Sequence, residues 1–219
     1  MSEPKAKVDP SWDSPSGLVY TWRWDLGRAA TAFYGALVLK KPTWVSWEVL
    51  PFVLGFAMER RDPEDLYADG LMSHDAIRIV GAFEGTSGVL STKELRQKAG
   101  FPTGKPQRAA YLKAVEELDS RLLLAKTFDT EGEGDEMSHA LVSIKYEVQV
   151  NHAKSVTVVE ALQAFLLRYL PQAVLVDTKV LAKHLRLQPA IMNAAAEATV
   201  WSGAAIRYGD VLVATISEH

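Results

Sequence analysis

The chain has 219 residues, 48% apolar and 23% charged, a balance that supports a packed core and excludes wholesale disorder. It carries no cysteine, so a disulfide framework, a thiol nucleophile and a thiolate zinc site are excluded together. A net charge of −3 argues against a uniformly basic nucleic-acid binder, so any DNA contact has to come from charge concentrated locally.

Residues Met1 to Pro15 are polar and rich in Pro and Ser, without the apolar core of a signal peptide, and read as a disordered lead-in. Residues 16–72 read as a helical, Trp-rich segment; five of the six tryptophans fall between Trp12 and Gly70. Asp25 is positioned to cap a helix running to about Lys40, with Ala29, Ala32, Phe33, Ala36 and Leu37 at helical spacing. The alternation of Tyr20, Trp22 and Trp24 suggests one face of a strand. Trp22, Trp24, Trp44 and Trp47 are expected to pack in a core or interface, with stacking on exposed bases as the other reading. Ser46 and Glu48 announce a second, very apolar helix with Pro51 near its first turn. Its apolar stretch, Val49 to Met58, is too short to span a bilayer.

Residues 73–152 have the clearest pattern. Ser73 caps a helix with Ala76, Ile77, Val80 and Phe83 on one face. Ser91 and Glu94 form a capping box for a short helix that stops at Gly100. A third helix opens at Lys105-Pro106 and turns Ala110, Ala114, Val115 and Leu118 inward. Leu122 to Phe128 is strand-like, Asp129 to Glu136 is an acidic turn, and Leu141 to Val150 alternates like a returning strand. Residues 153–219 repeat the order. Thr157 and Glu160 cap a helix, Asp177 opens a short one, and a third runs from Pro189 to Trp201. A hairpin over Ala204–Tyr208 and Val211–Ile216 follows. The expected fold is mainly α with small β hairpins (α+β): tandem winged helices behind a helical N-terminal segment.

The strongest functional signal lies between Ser91 and Lys113, where six basic residues face one acid, Glu94. In a helix-turn-helix the third helix presents its N-terminal side chains to the major groove while nearby cations hold phosphates. Gln107, Arg108 and Tyr111 are the candidates for bases or sugars. Lys105 and Lys113 are the candidates for phosphates, joined by Lys93, Arg96 and Lys98 on the preceding helix. The helix from Pro189 to Trp201 differs: it holds one formal charge, Glu197, and a run of alanines, so it is expected to pack against another element or to leave open a homodimer through the C-terminal unit.

Catalytic templates fail. The stretch Gly100 to Pro106 has three residues between its outer glycines where a phosphate loop has four, and a proline where Ser or Thr would bind magnesium. His74, His139, His152, His184 and His219 show no metal-ligand spacing. No Gly-x-Ser-x-Gly elbow occurs. Glu116-Glu117 and the Glu131–Glu136 run read as solvated faces or a wing tip. No catalytic residue, metal or cofactor is expected.

Four segments resemble proteins of the AlkZ-related family: Lys41 to Pro51 (KPTWVSWEVLP), Gly88 to Gly100 (GVLSTKELRQKAG), Ala114 to Leu118, and the strand Leu122 to Lys126. The resemblance covers about residues 20–128. It implies bacterial tandem winged-helix proteins that contact DNA, similar to the glycosylases that unhook interstrand crosslinks. Those glycosylases place water with a Gln-x-Gln or Gln-x-Asp motif. Gln97, Gln107, Gln149, Gln163, Gln172 and Gln188 have no Gln or Asp two residues on, so no residue inherits that role. The expected function is thus a cytoplasmic binder of double-stranded DNA, in repair or transcription, without membrane attachment or its own catalysis. A divergent glycosylase acting on alkylated or crosslinked DNA is one alternative, and a winged-helix protein–protein module is another.

Overall fold

The computed structural model describes residues 24–101, 104–128 and 137–215. The polar lead-in, Tyr20, Trp22, the Glu131–Glu136 run, Ile216 and His219 lie outside the described residues. Among the described residues, helices mix with three small antiparallel sheets.

The first region departs from expectation. Residues 24–28 are helical, so Trp24 does not sit on a strand, but the helix expected to reach Lys40 ends there. A hairpin follows, β1 (Ala32–Val38) paired with β2 (Lys41–Ser46). Phe33, Gly35 and Leu37 are buried at every second position, a strand period that coexists in this sequence with helical spacing. The next helix, α1 (Leu50–Ala57), is capped at Val49 without a side-chain bond, rather than by Ser46, and carries its proline in the first turn. The short α2 (Pro63–Ala68) leads into α3 (His74–Gly81), where the Ser73 hydroxyl accepts the Ala76 amide.

Then come β3 (Val89–Ser91), α4 (Thr92–Lys98), α5 (Lys105–Asp119), β4 (Leu124–Thr127) and β5 (Ser138–Leu141). Their sheet has the order β3-β5-β4. The strand expected to continue to Val150 stops at Leu141 and gives way to α6 (Val142–Lys145) and α7 (Glu147–Ser155). Val142, Tyr146 and Val150 are buried four residues apart, while Val148 between them is 78% exposed. Four-residue spacing is one face of a helix, and the alternation of branched residues hid it.

The last part repeats the element order: α8 (Val158–Ala173), β6 (Leu175–Asp177), α9 (Thr178–Leu185), α10 (Pro189–Trp201), β7 (Ala205–Tyr208) and β8 (Val211–Ala214). Its sheet order, β6-β8-β7, matches the first. In each unit the first strand joins the second strand of the hairpin.

Among the described residues two large cores stand beside a small aromatic cluster of Trp24, Tyr34 and Phe128. One gathers Leu66, Ile79, Leu95, Leu118 and Leu124 from α2 to β4. The larger joins Phe33 and Leu54 of the N-terminal hairpin and α1 to Leu162, Leu166 and Leu212 of the last unit. A Cβ on Gly55 would lie 2.5 Å from that of Ala161, so glycine lets α1 and α8 approach closely. Arg60 locks the junction by donating through Nη2 to the carbonyls of Gly55, Ala153 and Val156 at 2.6, 3.1 and 2.9 Å. Among the described residues, no helix is long and apolar enough to cross a membrane.

Candidate nucleic-acid interface

The basic segment is built from its ends inward. The α4 capping box forms: Glu94 donates its amide to the Ser91 hydroxyl, and its carboxylate accepts from the Ser91 amide at 2.9 Å and the Ser91 hydroxyl at 2.7 Å. These bonds, led by the hydroxyl and helped by Lys98, hold the Glu94 pKa below its usual value. The single acid of the segment is therefore ionised and committed to the helix start. At the other end, Arg78 Nη2 donates to the carbonyls of Ala99 and Gly100 at 2.6 and 2.7 Å while its guanidinium lies 4.6 Å from the Phe101 ring centre. Leu95 and Ala99 anchor the buried side; Lys93 and Lys98 project outward.

Helix α5 begins at Gly104, whose φ of 143° favours glycine, with Pro106 in the first turn and no side chain capping it. Pro106 has no amide hydrogen and the Arg108 amide donates to the Gly104 carbonyl at 3.0 Å; the side chains of Lys105, Gln107 and Arg108 are all exposed, as is Lys113 two turns on. Among the described residues, no carboxylate lies within 4 Å of Lys93, Lys98, Lys105, Arg108 or Lys113.

Two of the eight candidate residues sit elsewhere. Tyr111, expected to face bases or sugars, is 2% exposed. Its ring meets Phe101 edge-on at 5.5 Å, and its hydroxyl lies 3.3 Å from His139 Nε2. Burial pushes its pKa up to about 12, against a smaller opposing effect of Arg96, so it stays neutral. Arg96 is half-buried with its guanidinium 5.7 Å from the Tyr111 ring centre. His139 on β5 also lies 3.3 Å from the Thr92 hydroxyl, which donates to the Met137 carbonyl at 3.2 Å. Burial, then Lys126, pushes its pKa down to about 4, so the ring is neutral. Neutral core groups thus bind α4, α5 and β5 into one frame that carries the outer cations.

The α10 helix differs. Met192, Ala195 and Ala196 are buried against the chain's own α8, so its alanine content needs no second copy. On its outer side Arg207 holds Glu197 at 2.5 Å and Asn193 at 2.9 Å.

A second concave region was not legible from spacing. A cavity of about 90 Å³ is walled by Tyr34, Trp47, Phe128 and Tyr146, with Lys126 and Lys145 on its lining. A smaller one of about 20 Å³ shares Tyr34 and Lys126 and is bordered by Asp119. Asp119 Oδ1 is shut off from solvent and accepts no hydrogen bond from the described residues. Burial lifts its pKa to about 7, with Lys126 opposing and Glu116 reinforcing the rise. In the sequence Asp119 reads only as the last residue of a helix. Of the tryptophans expected to pack, Trp24 meets Phe128 edge-on at 5.2 Å, Trp44 stacks on it at 5.7 Å and Trp47 lies 5.8 Å from Tyr146, while Trp22 lies outside the described residues.

Residues 3–175 match the family model described as AlkZ related, which covers more than half of the chain. No curated protein and no solved structure matches it.

Proposed function

Because this chain belongs to the AlkZ-related family, we propose that it is a DNA-repair-related protein that binds duplex DNA through α4 and α5, with no catalysis of its own. Each unit is then a winged helix, a reading supported by the shared element order and strand order. The carrying observation is the set of exposed cations without a carboxylate partner among the described residues, Lys93, Lys98, Lys105, Arg108 and Lys113, beside a start of α5 that no side chain caps among the described residues. Such a helix start suits phosphate, and Gln107 and Arg108 are placed to reach base edges.

The test is fluorescence-anisotropy titration of one duplex, undamaged and alkylated, at two salt concentrations. Affinity should fall with salt at about 0.9 log–log units per phosphate contacted. The double variant K105E/R108E should bind at least roughly tenfold more weakly, a loss of about 1.4 kcal/mol. An unchanged affinity removes this surface from consideration, and absence of duplex binding favours the protein–protein module.

One observation favours a second reading, a divergent glycosylase. The cavity has four aromatic residues in its wall and shares Tyr34 and Lys126 with the smaller one bordered by Asp119, whose carboxyl titrates near neutrality, where a general base is most effective. Release of free base from the alkylated duplex, abolished by Asp119→Asn, separates this reading from plain binding.

A further inference from the structure

The β1–β2 hairpin turns through Leu39 and Lys40, both with positive φ, 51° and 61°. Two-residue turns of this kind favour Asn-Gly or Asp-Gly. An ordinary side chain in the left-handed region is strained, because its Cβ crowds the backbone carbonyl. Strain retained at an exposed tip is a reason to ask what the tip does. The tip is docked: the Leu39 amide donates to the His184 carbonyl in the last turn of α9 at 2.9 Å. Two residues further on, Arg186 closes α9 with φ 58°, where Gly or Asn is usual, and its Nη2 donates to the Ser120 carbonyl at 2.8 Å. Three strained residues therefore converge where the hairpin, α9 and the end of α5 meet.

Cations concentrate there. Lys40, Lys41, Lys183 and Arg186 are all exposed, and among the described residues no carboxylate lies within 4 Å of any of them. The acids on the neighbouring elements are largely engaged. Asp177 caps α9 at its far end, and Asp210 holds Lys179 at 2.7 Å. Glu117 accepts the Ser73 amide, Asp119 Oδ1 is shut off from solvent, and Glu116 is exposed.

The 15 residues of α5 separate this junction from Lys105. At 1.5 Å per residue that is about 21 Å, or about six base pairs of duplex. We infer that Lys40, Lys41 and Lys183 form a second contact for the phosphate backbone of the duplex held at the start of α5. The inference rests on the duplex-binding reading above.

The test compares the full-length chain with K40Q/K41Q/K183Q, with K105Q/R108Q and with the exposed control K154Q, on one 24-base-pair duplex across a salt series. Glutamine preserves the turn backbone, and thermal melting checks that each variant is folded. The triple variant should lower the log–log salt slope by about 2–3 units and weaken low-salt binding at least about tenfold. K154Q should leave both unchanged. A triple variant with the wild-type slope, beside a weakened K105Q/R108Q, overturns the second contact and leaves the first standing. A weakened triple variant beside an unaffected K105Q/R108Q overturns the α4–α5 surface instead. If wild type binds no duplex, both fall.

Discussion

The Arg96 guanidinium lies 5.7 Å from the centre of the Tyr111 ring, so a cation from α4 and an aromatic from α5 meet inside the fold. Both were candidates for touching DNA. Their contact ties α4 to α5, while Lys93, Lys98, Lys105 and Lys113 are exposed.

Tyr111 is therefore expected to matter for folding and not for recognition. Tyr111→Phe keeps the ring contacts with Phe101 and Arg96 and should leave DNA affinity within about twofold. Tyr111→Ala opens a core cavity and should lower stability by about 3–5 kcal/mol in denaturant titrations. A Phe variant that folds normally yet loses tenfold in affinity would return the hydroxyl to the interface.

Asp119 makes stability depend on pH in an unusual direction. Its folded pKa, about 7, exceeds the ordinary 3.8, so the folded state holds a proton that the unfolded state has lost between those values. The contribution is present in full below pH 4 and disappears as pH rises through 7. Asp119→Asn should melt increasingly above wild type as pH climbs from 5 to 8. A difference independent of pH contradicts the assignment.

His139 acts in the opposite sense. Its folded pKa is about 4, below the ordinary 6.5, so the unfolded state binds the extra proton in that window. Stability should be lost as pH falls from 6.5 through 4. His139→Gln should flatten the acid limb of the melting profile, read against the Asp119→Asn background so that the two titrations do not cancel.

The strained turn offers a check independent of DNA. Lys40→Gly removes a side chain held at φ 61° and should stabilise the protein by about 1 kcal/mol, raising Tm by about 2–4 °C. A fall in Tm would show that the Lys40 side chain compensates for its backbone.

The sequence by itself determined the elements whose signals are local. Ser91 with Glu94, Thr157 with Glu160, and Ser73 and Asp177 each cap the helix they announce, because a side-chain oxygen and an amide three residues on need no distant partner. Pro106 and Pro189 opened their helices for the same local reason. The charge of Lys93, Lys98, Lys105, Arg108 and Lys113 was legible too, since a cation without a nearby acid seeks water. Tertiary structure decided what local signals leave degenerate. Residues 32–38 carry apolar spacing that fits a helix or a strand, and the need to bury Phe33, Gly35 and Leu37 against the larger core chose the strand. The turn at Leu39-Lys40 has no Gly or Asn to betray it; docking on His184 holds it in place. Tyr111, Asp119 and His139 look like any polar residue on a helix or strand. Only the closing of α4, α5 and β5 around Tyr111 and His139, and of β1 and β4 beside Asp119, removed their water and gave them the protonation they carry, because desolvation belongs to the packed neighbourhood and not to the residue.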